Sequence, residues 1–232
     1  MSPPEPPADP AAPTEAAPTE AAPTEAAPTE AMPTRREQRT ITSQRRILEA
    51  AVDCLIEHGF AGATTSAIQA RAGVSRGRLL HHFPSREDLL VAAARHLAAE
   101  RVEATTARVV AEVDNGVTGA ARVTNVVEMM WMSFHEPHFW AAVELWTAAR
   151  TNEWIAGALL PVERHLGGVI RSSIDRMWGP ELVGHPRYAQ LREILFTSMR
   201  GVALAYAFDR RDPRRDPHLP QWTDTALILL EA

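Results

Sequence analysis

Between Thr64 and Phe83 the chain reads TTSAIQARAGVSRGRLLHHF, a punctuation that admits little besides two short helices joined by a tight turn. Thr64-Thr65 opens a first helix whose apolar positions are Ala67, Ile68 and Ala72. Gly73 ends it, at the place where a helix terminus takes the left-handed conformation that costs glycine least. Val74 is the apolar residue of the turn. Ser75 then occupies the N-cap of a second helix, where its hydroxyl can accept a bond from an otherwise unpaired amide. That second helix buries Leu79 and Phe83 and turns Arg76, Gly77, Arg78 and His81 outward. Its size suits a DNA major groove, where arginine forks read guanine edges.

The flanking sequence is helical too. Ile47, Ala51 and Leu55 recur at helical spacing, with Leu48 and Val52 beside them, and predict a first helix from about Thr42 to His58. Gly59 closes it and Phe60 packs under the motif. After Pro84, Ser85 and Asp88 form a capping-box pair at the start of the next helix, which buries Leu89, Leu90, Ala93 and Leu97.

Charge is distributed unevenly. The formal net charge is −5, but residues 1–34 hold six acidic residues and no basic one. Residues 35–84 carry eight arginines against four acidic residues, so positive charge concentrates around the helix-turn-helix, as a phosphate-contacting surface requires. The chain contains no lysine, so arginine by itself marks nothing special here. The basic run Arg35, Arg36 and Arg39, ahead of the expected first helix, is placed to follow a phosphate backbone or to enter a minor groove.

Other classes are poorly supported. No apolar run approaches the roughly 20 residues that span a bilayer, and the N-terminus has no basic segment followed by an apolar one, so neither membrane insertion nor secretion is expected. A single cysteine, Cys54, allows no disulfide framework and sits on an apolar helix face. There is no nucleophile elbow, phosphate-cradling loop or metal-spaced ligand set, so no enzyme, cofactor or metal is expected. His81 and His82 point about 100° apart on a helix, and His135-Glu136-Pro137-His138 lacks the zincin spacing. A cytoplasmic protein fits this profile.

The order of motifs, helix 1, Gly-Phe, TT-x-x-I, AGVS-x-G and HHFPS-R-x-x-L-L, resembles the tetracycline-repressor (TetR) family of transcriptional regulators over about Ile41 to Leu90. The resemblance implies an all-α fold: an N-terminal three-helix helix-turn-helix domain and a C-terminal helical domain for ligand binding and dimerisation. It also implies a homodimeric, ligand-responsive repressor on a roughly palindromic operator in double-stranded DNA. Transferred by position, Thr65 and Ser66 would contact phosphate, Ser75 would cap the recognition helix, and Arg76, Gly77, Arg78 and His81 would face the groove. His82 and Arg86 would add phosphate contacts. The family usually places a tyrosine where this chain has Leu80, and commonly a threonine where it has Arg78. Shifted specificity is the preferred reading; an architectural DNA binder without an effector, or an interaction module that has lost DNA binding, stand as alternatives.

The expected organisation is a tail over 1–34, a DNA-binding domain over 35–86 and an effector-binding and dimerisation domain over 87–232. In the tail AAPTE repeats four times between Ala11 and Glu30, and regular prolines without core residues predict disorder. It is either a repeat expansion without a role or an acidic competitor of DNA for the basic segment behind it. From Thr118 onward helices are expected over about Gly119 to His135, Arg187 to Phe208 and Gln221 to Glu231, with breaks at Pro137, Pro161, Pro180 and Pro186. Methionines and aromatics crowd between Met129 and Trp154, a composition suited to an adaptable apolar pocket. Glu128, Trp131, Phe134, Trp140, Glu144, Trp146 and Trp154 are the expected lining of a pocket for a small, largely apolar effector, with a buried glutamate favouring a lipophilic cation. Ile194, Ser198, Gly201 and Ala205 form a stripe with three small residues beside an apolar one, and with Trp222, Ala226 and Leu229 they are the expected dimer interface.

Overall fold

The computed structural model describes residues 35–112 and 116–231, and of residues 36, 37 and 104–112 the backbone alone. The repeat tail therefore lies outside the described residues. Among those residues every regular element is helical. In chain order they are α1 (Arg35–Gly62), α2 (Thr65–Ala72), α3 (Arg76–His82), α4 (Arg86–Glu112), α5 (Gly119–Ser133) and α6 (Pro137–Ala149). Then come α7 (Glu153–Val183), α8 (Tyr188–Ala205), a 3-10 turn at Pro213–Arg215, and α9 (His218–Leu230).

Two boundaries differ from expectation. The first helix starts at Arg35, not Thr42, because neither glycine nor proline stands between Arg35 and His58 to stop it. The basic run is thus the first turns of a helix and not an extended arm. Pro161 is carried inside α7, and the break falls at Gly179, whose φ of 81° precedes Pro180. The guanidinium of Arg122 lies on this glycine while donating to the carbonyls of Met177 (2.9 Å) and Val117 (3.1 Å). A β-carbon at Gly179 would sit 3.1 Å from that group, so positive φ and crowding both select glycine there.

Two cores form. One gathers Ile47, Leu55, Ile68, Leu79, Phe83 and Leu90 from the first four helices, together with Ala141 and Leu145 of α6 and Ile155 and Leu159 of α7. The other joins Val127, Trp131, Phe139, Trp178, Leu191, Met199 and Trp222 from α5 to α9. Helix α6 thus contributes side chains to both. Cys54 is buried in the first core, and burial raises its thiol pKa, as expected of an inert cysteine.

The link between α8 and α9 is held by Asp216, which is 3% exposed. Its carboxylate accepts from the Tyr206 hydroxyl (2.6 Å) and from the His218 amide (2.8 Å), and lies 2.8 Å from His218 Nδ1. The indole N–H of Trp131 donates to the Pro213 carbonyl at 2.8 Å, tying the same link to α5. Burial opposes the charge on Asp216, but the bonds from Tyr206 and His218 outweigh it and hold the pKa below the usual carboxylate value. Such a lowered value gives stabilisation that is complete above the unfolded-state pKa of about 4 and drains away as pH falls through the folded value. Asp216→Asn should therefore cost about 2–4 kcal/mol in urea unfolding at pH 7. The gap from the unsubstituted chain should narrow below about pH 4; a gap independent of pH would show that the charge is not its source.

Candidate nucleic-acid interface and effector cavity

The helix-turn-helix is built by the caps its sequence supplies. The Ala67 amide donates to the Thr64 hydroxyl at 3.1 Å, and the Arg78 amide to the Ser75 hydroxyl at 3.3 Å. Gly73 takes φ 62°, and its amide returns to the Ala70 carbonyl. With Leu79 buried, α3 turns Arg76, Gly77, Arg78, Leu80 and His81 to the outside. Ser66 is exposed beside them, while Thr65 and His82 are half-buried. Burial, then the neighbouring charges of His81 and Arg78, pushes the His82 pKa below its ordinary value. That shift favours the neutral imidazole, which can donate or accept a hydrogen bond.

The arginines around this motif divide into two sets. Arg46 donates to the Ala72 carbonyl at 2.8 Å, closing the C-terminus of α2 onto α1. Arg71 pairs with Asp53 at 3.1 Å and with Glu57, binding α2 to α1 from outside. Its bond to Glu57 is the main reason that carboxyl stays below its usual pKa. Arg86, expected to contact phosphate, instead donates to the carbonyls of Ala63 (3.1 Å) and Phe60, with its guanidinium 4.4 Å over the Phe60 ring. The start of α4 directs this side chain inward to carbonyls left unpaired where α1 ends. By contrast the guanidinium groups of Arg35, Arg39, Arg76 and Arg78 make no hydrogen bond or ion pair with another described residue. Arg35 and Arg39, four apart on α1, line an open groove of about 490 Å³ with Arg46, Gly73, Val74 and Arg78. The basic first turns of α1 thus lie beside α3, a neighbourhood that the unbroken helical run from Arg35 would have revealed.

The junction with the C-terminal half centres on Gly59, where α1 departs from helical geometry at φ 66° and ψ −178°. This departure frees the Phe60 amide, which donates to Glu144 Oε2 at 2.7 Å. The carboxylate rests so closely on Gly59 that a β-carbon there would lie 2.9 Å from Oε2. Glu144 is therefore a tether between α6 and the end of α1, not the expected pocket residue.

A cavity of about 280 Å³ does occur, among α4 to α8. Of the expected residues, Phe134 and Trp146 line it. Trp131 is wholly buried in the core behind, edge-on to Tyr206 and tilted against Trp222; Trp140 packs on that core; Glu128 is exposed; and Trp154 is 49% exposed. Helical spacing identified apolar faces here but not which neighbour each face meets. Apolar surface comes from Met129, Met130, Phe139, Ile170, Met177 and Phe196 among others. The charged lining is Arg101, Arg171, Arg192 and Arg200 with Glu136, Glu163 and Glu193, so no lone carboxylate for a lipophilic cation is present among the described residues.

On α8, Ile194 and Gly201 are exposed, Ser198 and Ala205 half-buried, and no described residue comes within 4 Å of the space a β-carbon at Gly201 would fill. On α9, Trp222 and Ala226 point into their own core and Leu229 is packed against it, so these are not the outward residues. Ile228, 72% exposed, takes that place, with Leu204 and the 85% exposed Phe208 nearby in sequence to the α8 terminus. Elsewhere Glu49, His96 and Glu100 bring candidate ligand atoms within 4.8 Å of one another. Glu49 is taken up by Arg45, which donates to it at 2.8 Å, while His96 Nε2 lies 3.2 Å from Glu100.

Residues 47–93 match the family described as bacterial regulatory proteins, tetR family. Over 77 residues the chain is 39% identical to the HTH-type transcriptional repressor AcnR of Corynebacterium efficiens, covering 33% of this chain and 41% of that one. It is 39% identical over 127 residues to the AcnR repressor of Corynebacterium diphtheriae, covering 50% and 58%. The match thus spans about half the length of these curated relatives. A regulator from Saccharomonospora viridis, solved in complex with choline, superposes with a TM-score of 0.55 over 82% of this chain and 95% of its own, at 20% identity. That likeness concerns the fold alone.

The inward course of Arg86 has a measurable consequence. Arg86→Ala should lower stability by about 2–3 kcal/mol, because two carbonyls lose a charged donor. Arg86→Lys, lacking the planar fork, should recover less than half of that. Unchanged urea midpoints for both would return Arg86 to the role of a free surface cation.

Proposed function

We propose that this chain, which belongs to the TetR family through its helix-turn-helix residues, is a cytoplasmic homodimeric transcriptional repressor released from its operator by a small molecule. The observation that carries this reading is the capped helix α3, whose exposed Arg76 and Arg78 guanidinium groups make no hydrogen bond or ion pair with another described residue. Residues 35–86 would form the DNA-binding unit and residues 87–232 the effector-binding and dimerising unit.

In this reading α3 enters the major groove, where Arg76, Arg78 and His81 reach base edges past Gly77. Thr65, Ser66 and His82 contact phosphate, as do Arg35 and Arg39 along the adjoining groove. Ser75 acts through its cap and not through DNA. Two copies associate through Ile194, Ser198, Gly201 and Ala205 of α8 together with Ile228 of α9, since exposed apolar residues gathered on one side of a helix pair mark an association surface. Half-sites then lie about one helical turn, or a multiple, apart. The cavity supports a small effector with an apolar body, and a choline-bound neighbour of the same fold is in keeping with a ligand there.

Selection of bound DNA from a random pool, followed by affinity measurements, tests the reading. Arg78→Ala should weaken binding to the selected site by about 1–3 kcal/mol and relax preference at one position of each half-site. Joint replacement of Arg35 and Arg39 by alanine should lower affinity for all sequences alike and flatten the salt dependence. Ile228→Asp should yield monomers in sedimentation and abolish binding to the full palindrome. If no sequence is enriched, or Arg78→Ala changes nothing, α3 is not a recognition helix.

A further inference from the structure

We propose that the cavity takes an organic anion, a carboxylate carried on a short apolar body, an inference that rests on the reading of this cavity as the effector site. Its charges are not evenly matched. Burial lowers the Arg101 pKa, and the charges of Glu163 and Glu136 offset it only in part. Arg192 donates from Nη1 to Asp175 at 2.6 Å and lies 5.6 Å over the Tyr188 ring. Its Nε is buried and has no acceptor. Arg171 and Arg200 also line the cavity, and neither makes an ion pair with another described residue. Arg200 is instead placed 5.4 Å over the Phe196 ring.

These groups converge. Arg192, Phe196 and Arg200 follow one another at four-residue intervals on α8, hence on one face, and Arg171 lines the same cavity from α7. The carboxylates at this end are Asp175, already bonded to Tyr188 and Arg192, and the exposed Glu193, within 3.4 Å of Thr197 Oγ1. Among the described residues three guanidinium groups thus face two carboxylates, and one buried N–H has no acceptor. A buried donor without an acceptor is costly, and a ligand oxygen that supplies one recovers the loss. A carboxylate does so best, because the planar fork of arginine matches its two oxygens and charge assistance strengthens each bond. The other wall is Met129, Phe134, Phe139, Trp146 and Ile170, which suits a hydrocarbon or aryl body. At about 280 Å³ the cavity is at the small end of ligand sites, enough for one head group and a short body.

Titration calorimetry on the full chain with 4-phenylbutyrate, 4-phenylbutan-1-ol and 4-phenylbutylamine tests the ligand class, because only the head group differs. The acid should bind at least about tenfold more tightly than the other two, a difference of about 1.4 kcal/mol. Arg200→Gln and Arg171→Gln should each remove most of that advantage and leave the alcohol unchanged. Arg192→Gln should do the same if it folds; the two rim variants, which break no bond within the protein, keep the test valid if it does not. Equal binding of acid and alcohol, tighter binding of the amine, or no binding of the acid at about 1 mM overturns the proposal. Operator release measured with the same probes separates the two readings. An acid that binds without releasing DNA leaves the ligand class standing and removes the effector role, whereas release by the amine alone does the reverse.

Discussion

The bond from the Phe60 amide to Glu144 holds the two halves of the molecule in register. It exists because the chain leaves helical geometry at Gly59, and only glycine accepts both that conformation and the carboxylate resting on it. Arg86 fixes the same corner from the other side through the carbonyls of Phe60 and Ala63. The corner therefore has its donor and its acceptors satisfied by two different helices, α6 and α4. Neither helix can shift without disturbing the seat of α2 and α3.

Helix α6 joins this corner to the cavity. Glu144 reaches α1, Leu145 enters the first core, and Trp146 lines the cavity, three consecutive residues engaged in three directions. A helix is stiff over that distance, so the cavity wall at Trp146 and the bond at Phe60 are mechanically joined.

Local signals were the legible part of the sequence. Thr64, Gly73, Ser75 and the Ser85–Asp88 box all act where their types and spacing placed them, because caps and turns are decided within a few residues. Helical periods located the apolar faces for the same reason. Partners distant in sequence were not legible. Glu144 lies 84 residues from Phe60, and nothing near it distinguishes a tether from a pocket carboxylate. Arg86 shows the complementary difficulty: a guanidinium suits phosphate and carbonyl oxygens alike, and only the fold decides which it meets. Trp222 and Ala226 belong to an apolar stripe that could equally have faced a second subunit; the 3.6-residue period gives a direction but not its occupant. The arginines of the cavity went unnoticed because they come from separate helices and have no common motif.

The division of labour among arginines has a consequence for descent. Arg46, Arg71 and Arg86 brace the scaffold, whereas α3 itself lends the interior only Leu79, with Phe83 at its end. Five of its seven residues, Arg76, Gly77, Arg78, Leu80 and His81, are exposed. Substitutions there can accumulate almost free of folding constraint. The outer face of α3 can therefore be rewritten one residue at a time through folded intermediates, while the scaffold braced by Arg46, Arg71 and Arg86 stays unchanged.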